Sequence, residues 1–305
     1  MVISSGRDRG KLCRTGSRCG GSLDNDETKF EELANAIEDG DQDLALQLAL
    51  SLRSKVTEMD EKILVATGFL EGGSPSDALE LLKSMDGNLL ESEFSEAQEA
   101  ELEELMKVRL AEALYATGHP EEALATLESV ASRGVREASD REYFTALCWD
   151  HLGDQALADA HLAMATELDP DRNPPIPSIS REEAHRIVVE VIGELPEAVR
   201  TSVEEVPILI EDLPDTRWIQ ETKGEIHPDT LGLYTGVSLI DRSHFDIGSF
   251  DKLPTAACIH IYRRNLERIS QDPDQLRTEI RITLLHELGH HLGLDEDDVD
   301  RLGLS

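Results

Sequence analysis

A glycine–alanine pattern that recurs four times restricts the first half of the chain to a small set of folds. The glycines are Gly40, Gly73, Gly118 and Gly153, and their spacings are 33, 45 and 35 residues. An alanine follows each glycine by five residues, at Ala45, Ala78, Ala123 and Ala158. A period of about 34 residues is typical of helix–turn–helix repeats, in which glycine ends one helix and small residues let the next helix pack closely. The pattern therefore predicts a stack of helical hairpins.

The third and fourth units carry this pattern most clearly. The fourth, "WDHLGDQALADAHLAMATELDP", closely resembles the tetratricopeptide consensus through Leu152, Gly153, Ala158, Ala165 and Pro170. The third, "LYATGHPEEALATLESV", resembles it nearly as well, and the first two units are degenerate. We interpret residues 28–170 as an all-α domain of tetratricopeptide-like helical repeats. Such repeats build a concave surface, so we expect them to bind a protein or peptide partner.

The chain is strongly acidic, which limits its possible partners. It has 305 residues with 29 Lys and Arg against 63 Asp and Glu, for a formal net charge of −34. This charge repels phosphate backbones and anionic membrane surfaces. We therefore expect no nucleic acid and no membrane among its partners, and a protein partner of basic character is favoured.

The sequence shows neither a membrane-spanning run, nor a secretory signal, nor a paired cysteine motif. No apolar run approaches the roughly 20 residues of a membrane-spanning helix, and the N-terminus lacks the apolar region of a secretory signal. We accordingly expect a cytoplasmic protein. Cys13, Cys19, Cys148 and Cys258 show no paired CxxC spacing, which argues against a disulfide framework and a cysteine zinc site.

Two low-complexity segments mark the expected domain boundaries. Residues 1–27 are rich in glycine and arginine and predict a disordered basic tail, with a cleaved targeting peptide as the weaker alternative. Residues 171–179 form a linker, because the surrounding prolines exclude helix and paired strand. These prolines are Pro170, Pro174, Pro175 and Pro177. From residue 180 to 305 the order helix, three strands, helix predicts a small α+β domain.

The last helix of this domain has explicit start and stop signals. Asp272 is a good N-cap, Pro273 suits the first turn, and Gln275 completes an approximate capping box. Gly293 can end the helix in a left-handed conformation. We predict a helix over residues 273–292. Its expected buried side consists of Ile280, Leu284, Leu285 and Leu288.

A histidine pair on this helix predicts a catalytic metal site. His286 and His290 are four residues apart, so their rings project from one face and can converge on one cation. Glu287 lies about a hundred degrees round the helix, where it can reach a metal-bound water as general base. A catalytic zinc needs a third protein ligand. Glu296, ten residues after His286, is the favoured candidate, with Asp295 and Asp297 as alternatives.

These residues resemble a known active-site signature. "RITLLHELGHHLGLDEDDVDRLG" looks like that of the bacterial zincin-like metallopeptidase family, HExGHxxGxx followed by an acidic residue. "EEVPILIEDLP", "LGLYTGVSLIDRS" and "IHIYRRNLERI" are similar to the family's strand, glycine–tyrosine loop and arginine-bearing strand. The resemblance covers roughly residues 180–305. It implies a minimal zincin fold, a Zn²⁺ ion and peptidase chemistry.

Several nearby residues have expected secondary roles. His291 and His260 are expected to be structural, and Arg263 and Arg264 to pair with acidic side chains. Tyr234 and Tyr262 are candidates for stabilising an oxyanion. The strand Ala257–Tyr262 is a candidate edge on which an extended peptide aligns.

Two functions are compatible with this sequence. The first is a zinc-dependent metallopeptidase that hydrolyses peptide bonds and recruits its partner through the helical repeats. The second is a non-catalytic zinc-binding repeat scaffold.

Overall fold

In a computed structural model of the chain, residues 24–84, 95–131, 134–222, 226–236 and 257–295 are described. They divide into two compact units. The helical unit comprises the described residues up to Pro174 together with the segment Asp215–Pro228. The sheet unit comprises Pro175–Pro214 and the described residues from Asp229 onwards.

The helical unit is an array of helices that pack in chain order. Each helix contacts its successor along the chain. The helices are α1 Asp24–Asp39, α2 Gln42–Leu52, α3 Met59–Glu71, α4 Pro75–Lys83, α5 Glu96–Ala116, α6 Pro120–Glu128, α7 Val135–His151 and α8 Gln155–Leu168. The start of α1 at Asp24 means that residues 24–27, assigned to the tail from the sequence, are helical. The rest of the predicted tail lies outside the described residues.

The recurring glycines occupy the turns within four helical hairpins. Gly40, Gly73, Gly118 and Gly153 have φ values of 72°, 73°, 79° and 83°. This left-handed conformation is strained for residues with a side chain. The alanines that follow these glycines by five residues are fully buried. The hairpin pattern therefore reflects close packing of the second helix of each pair.

Among its described residues, the sheet unit places helices around a sheet of three strands. Its helices are α9 Arg181–Glu194, α10 Glu197–Val203, α12 Arg263–Ile269 and α13 Pro273–Leu292, and its strands are β1 Ile208–Glu211, β2 Gly232–Thr235 and β3 Cys258–Tyr262. The intervening helix α11, Thr216–Thr222, belongs to the helical unit. The strand order is β1–β3–β2, with β1 parallel and β2 antiparallel to β3.

The core of this unit lies between the central strand and two helices. Ile259 and Ile261 of β3 are fully buried and share one hydrophobic cluster with residues of α9 and α13. The members from these helices include Ile187, Val188, Val191, Ile280, Leu284 and Leu288. This cluster fixes the position of α13 against the sheet.

The topology corrects three expectations about strands. Residues 258–262 form the central strand, so the expectation that Ala257–Tyr262 is an edge for a substrate peptide is wrong. The segment "RRNLERI", taken with the preceding residues as an arginine-bearing strand, is helix α12. "GLYT", expected in a loop, is strand β2.

The domain boundaries expected from the sequence stay a prediction. The grouping of residues 215–228 with the helical unit departs from them.

The two ends of the proline-rich linker are each tied to one unit. In the helical unit, Asn173 donates its side-chain amide to the Ser139 hydroxyl at 2.8 Å. In the sheet unit, the Ile179 N–H donates to Glu267 Oε1 at 2.9 Å, and the Ile179 carbonyl accepts from Arg263. The segment between them contains neither helix nor strand, as its prolines predict.

A buried ionic cluster holds α12 in place. Glu267 is fully buried and accepts hydrogen bonds from Arg263 Nη1 at 2.7 Å and Arg264 Nη1 at 3.0 Å. Arg263 also donates to Asp212 at 2.7 Å. Burial alone would raise the pKa of Asp212, but hydrogen bonding from Arg181 and the charge of Arg263 outweigh it and lower this pKa. The expected pairing of Arg263 and Arg264 with acids is thus confirmed.

We predict that Glu267→Ala lowers the free energy of unfolding by roughly 3–5 kcal/mol, because it leaves two buried guanidinium groups without this carboxylate. Glu190→Ala is the control: it removes an ion pair with Arg277 in which both side chains are more than half exposed. It should cost less than about 1 kcal/mol. Urea unfolding of both variants measures the difference, and equal midpoints would contradict the role given to Glu267.

Candidate metal centre

The helix that carries the histidines begins and ends where its capping residues predict. Helix α13 spans Pro273–Leu292, and the Asp272 side chain accepts from the Asp274 and Gln275 N–H groups, both at 2.9 Å. Gln275 completes the start by accepting from the Gln271 N–H rather than from that of the N-cap. Three of the four expected core residues are buried, and Leu285 is half-buried. The caps and the apolar face together determine which side chains project away from the core.

A Schellman turn ends the helix directly after the second histidine of the motif. Gly293 has a φ of 93°, its N–H donates to the His290 carbonyl, and the Leu294 N–H donates to Gly289, each at 3.0 Å. This is the six-to-one and five-to-two bonding that favours glycine at the turn. The helix therefore ends two residues after His290, and the acidic residues that begin at Asp295 follow in the sequence.

The two motif histidines converge on one point. His286 Nε2 and His290 Nε2 lie 3.0 Å apart, and the ring planes are inclined at 75°. Two nitrogens bound tetrahedrally to zinc at about 2.0–2.1 Å lie roughly 3.3 Å apart, so the pair needs little adjustment to share an ion. Both residues are half-buried. The donor set fits a metal that prefers imidazole nitrogen.

A backbone carbonyl orients the second histidine for this role. His290 Nδ1 lies 3.3 Å from the Leu294 carbonyl oxygen, which can only accept a hydrogen bond. Nδ1 is therefore the donor of this hydrogen bond, and Nε2 is the nitrogen that faces His286. Zinc-binding histidines are commonly held in this way through their second ring nitrogen.

The third ligand is not placed by the structure. Glu296 and Asp297 lie outside the described residues. Asp295 is exposed, and within the described ranges no group of three histidine, cysteine or acidic side chains is arranged to hold a metal ion. Glu296 as third ligand stays a prediction.

The motif glutamate lies under strand β2. Glu287 is only 6% exposed. A Cβ added at Gly232 of β2 would come within 2.9 Å of Glu287 Oε1 and 2.6 Å of the Thr283 Cγ2 methyl. The strand approaches the carboxylate this closely because residue 232 has no side chain. The sequence analysis did not identify Gly232 as the residue that lets β2 approach Glu287, although a glycine in a strand can indicate close backbone approach.

His291 connects the helix to two other elements. Its Nε2 lies 3.3 Å from the Ser202 carbonyl, and its Nδ1 lies 3.2 Å from the Tyr234 hydroxyl. Because the carbonyl only accepts, Nε2 carries the proton and Nδ1 accepts from Tyr234. These contacts fit the expected structural role of His291. They also direct the Tyr234 hydroxyl towards His291.

The other two candidates from the sequence lie in the central strand. Tyr262 is 1% exposed and alternates with Ile259 and Ile261, so it occupies the sheet face opposite to them. His260 shares this second face, and its Nδ1 lies 2.6 Å from Glu211 Oε2. This hydrogen-bonding contact agrees with a structural role for His260.

A comparison with known protein families finds a match in the C-terminal part of the chain. Residues 203–304 match the model of a family described as zincin-like metallopeptidase. The match spans the three described strands together with α11, α12 and α13, and it leaves out helices α1 to α9. The search of curated proteins found no match. No helix of the described residues combines the length and apolar character needed to cross a membrane.

We predict that Gly232→Ala destabilises the protein by roughly 1–3 kcal/mol, because the added methyl group overlaps Glu287 and Thr283. Gly193→Ala in α9 is the matched control, since a Cβ there meets nothing within 4 Å. It should leave stability unchanged or raise it by up to about 1 kcal/mol. Denaturant unfolding midpoints of the two variants measure these effects. An unchanged midpoint for Gly232→Ala would mean that β2 does not pack tightly against Glu287.

Proposed function

We propose that this chain is a zinc-dependent metallopeptidase whose helical repeats, of the tetratricopeptide kind, recruit a protein or peptide partner. The observation that carries the peptidase proposal is the 3.0 Å approach of the two Nε2 atoms on the helix that also bears Glu287. The family match over residues 203–304 supports the same chemistry. A cytoplasmic location stays an expectation from the sequence.

The proposed metal ligands are His286, His290 and Glu296. When bound there, zinc would polarise the scissile carbonyl and lower the pKa of its bound water to about 7. Glu287 takes the proton of the attacking water and returns it to the leaving amine. Its burial beneath β2 keeps bulk water away from the carboxylate and restricts its orientation.

Strand β2 is a better candidate than β3 for aligning an extended substrate peptide. Among the described strands it pairs only with β3, whereas β3 has a neighbour on each side. An extended peptide added to β2 would gain main-chain hydrogen bonds. The proximity of Gly232 to Glu287 supports this placement, because the first residue of the strand lies beside the proposed base.

The recruitment proposal depends on charge and on the repeat architecture. Helical repeats in general build a concave surface, and the acidic composition of the chain would favour a basic protein segment there. A pull-down with the full chain in rising salt measures the electrostatic part, since long-range attraction between exposed charges is screened. Recovery that does not depend on salt would argue against a basic partner.

We predict one zinc per chain after purification without added metal. Glu296→Ala should weaken zinc binding more than Asp297→Ala or Asp298→Ala, and by more than the roughly 10–100-fold typical of outer partners. Elemental analysis and competition with a chelating dye measure both quantities. A larger effect of Asp295→Ala would move the third ligand to that residue, and wild-type protein that zinc cannot load would exclude the proposed centre.

We predict that Glu287→Gln keeps its zinc and loses about 10²–10⁴-fold in peptide hydrolysis, because the amide cannot accept the proton. Glu279→Gln, two turns earlier on α13, is the control for charge and should retain activity. Turnover of a peptide library by zinc-loaded proteins is the measurement. A zinc-loaded wild type that cleaves nothing, with partner binding unchanged in Glu287→Gln, would favour the non-catalytic scaffold.

A further inference from the structure

A short helix from the zincin-matching region packs on one turn of the helical unit. Gln220 of α11 donates its side-chain amide to the Gly118 carbonyl, in the turn between α5 and α6, at 2.6 Å. Ile219 of the same helix is 2% exposed. A helix of seven residues is not stable alone in water. The burial of Ile219 and the hydrogen bond of Gln220 therefore contribute to holding α11 on the α5–α6 turn.

The equivalent turns at Gly73 and Gly153 lack the contact that is seen at Gly118. Gly73 and Gly153 have nearly the same positive φ, and a Cβ added at either would meet nothing within 4 Å. A Cβ at Gly118 would lie 2.9 Å from the Thr216 carbonyl oxygen and 3.1 Å from Gln220 Cγ. Of these three turns, therefore, only that at Gly118 has a helix packed directly over the glycine.

α11 also forms one wall of a groove between two hairpins. Ile219 and Gln220 line this groove together with Leu79 of α4 and with Ala116 and Thr117 at the end of α5. Ile219 Cβ would lie 3.3 Å from a Cβ added at Gly118. The helix therefore lies beside residues of both hairpins.

The docked segment connects two strands of the sheet unit. The segment begins after β1, where Arg263 donates a hydrogen bond to Asp212. It ends before β2, where Asn265 donates to the Thr230 carbonyl at 2.8 Å. The next residues are Leu231, whose carbonyl accepts from the Tyr262 N–H at 2.9 Å, and Gly232. The connection is thus fixed at both ends, and its second end leads directly to the residue beside Glu287.

We propose that the α5–α6 turn is a receptor for α11, and that this docking holds β2 against Glu287, so that the helical unit controls the candidate metal centre within the same chain. The consequence for catalysis rests on the proposed function, whereas the docking and its effect on β2 do not. A helical unit that binds or releases α11 would tighten or loosen the strand that covers the catalytic glutamate.

Hydrogen exchange of the full chain tests the proposal with matched glycine variants. Gly118→Ala and Gly153→Ala carry the same backbone strain, but only the first adds a methyl group against α11. We expect Gly118→Ala to speed exchange in residues 216–222 and 231–235, and Gly153→Ala to leave both segments as in wild type. Gln220→Ala, which keeps every glycine, should raise exchange in 216–222 by about 3–10-fold through the lost hydrogen bond.

The outcomes separate this proposal from the peptidase assignment. Exchange in 216–222 that is the same in Gly118→Ala and Gly153→Ala would show that the turn is not the receptor. Faster exchange in 216–222 with unchanged exchange in 231–235 would show that docking does not reach the metal centre. If Gly118→Ala fails to fold, Gln220→Ala decides by the same two readouts. A wild type without zinc or hydrolysis would defeat the peptidase assignment alone, because the exchange comparison requires neither.

Discussion

The packing of α13 against the central strand is the interaction on which the candidate site depends. Ile259 and Ile261 contact the helix face that carries Leu284 and Leu288, and this burial fixes the rotation of the helix about its axis. Once that rotation is set, the four-residue spacing of His286 and His290 places both rings on one side. The convergence of the two histidines is therefore a consequence of hydrophobic packing, and the Leu294 carbonyl supplies the final orientation of one ring.

Local signals made the helix and its histidines predictable. An acidic N-cap, a first-turn proline and a glycine beyond the last turn each act within a few residues, so they are readable from sequence and agree with the observed bounds of α13. The hairpin glycines belong to the same class of signal. The arginine-bearing segment was misread because the resemblance favoured a strand, although Arg263 and Glu267 stand at helical spacing and pair as such.

Sheet order and the position of α11 were not predictable in the same way. A parallel partner such as β1 is about fifty residues from β3 in the sequence, as the pairing of Ile208 with Ile259 shows. Alternation of apolar residues does not specify which strand becomes central. The contact of Gln220 with Gly118 likewise joins residues 102 positions apart. Such contacts depend on the shapes of two folded surfaces, which hydrophobic periodicity does not encode.

The position of α11 in the sequence also determines when the helical unit can be completed during synthesis. The helices of the helical unit emerge first, but the surface at Gly118 lacks its cover until residue 222 has been made. By then α9, α10 and β1 have already emerged, and their strand partner β3 has not. The two units are interleaved along the chain, so a single cut after Pro174 separates neither of them cleanly: it would leave the turn at Gly118 uncovered on one fragment and Ile219 exposed on the other.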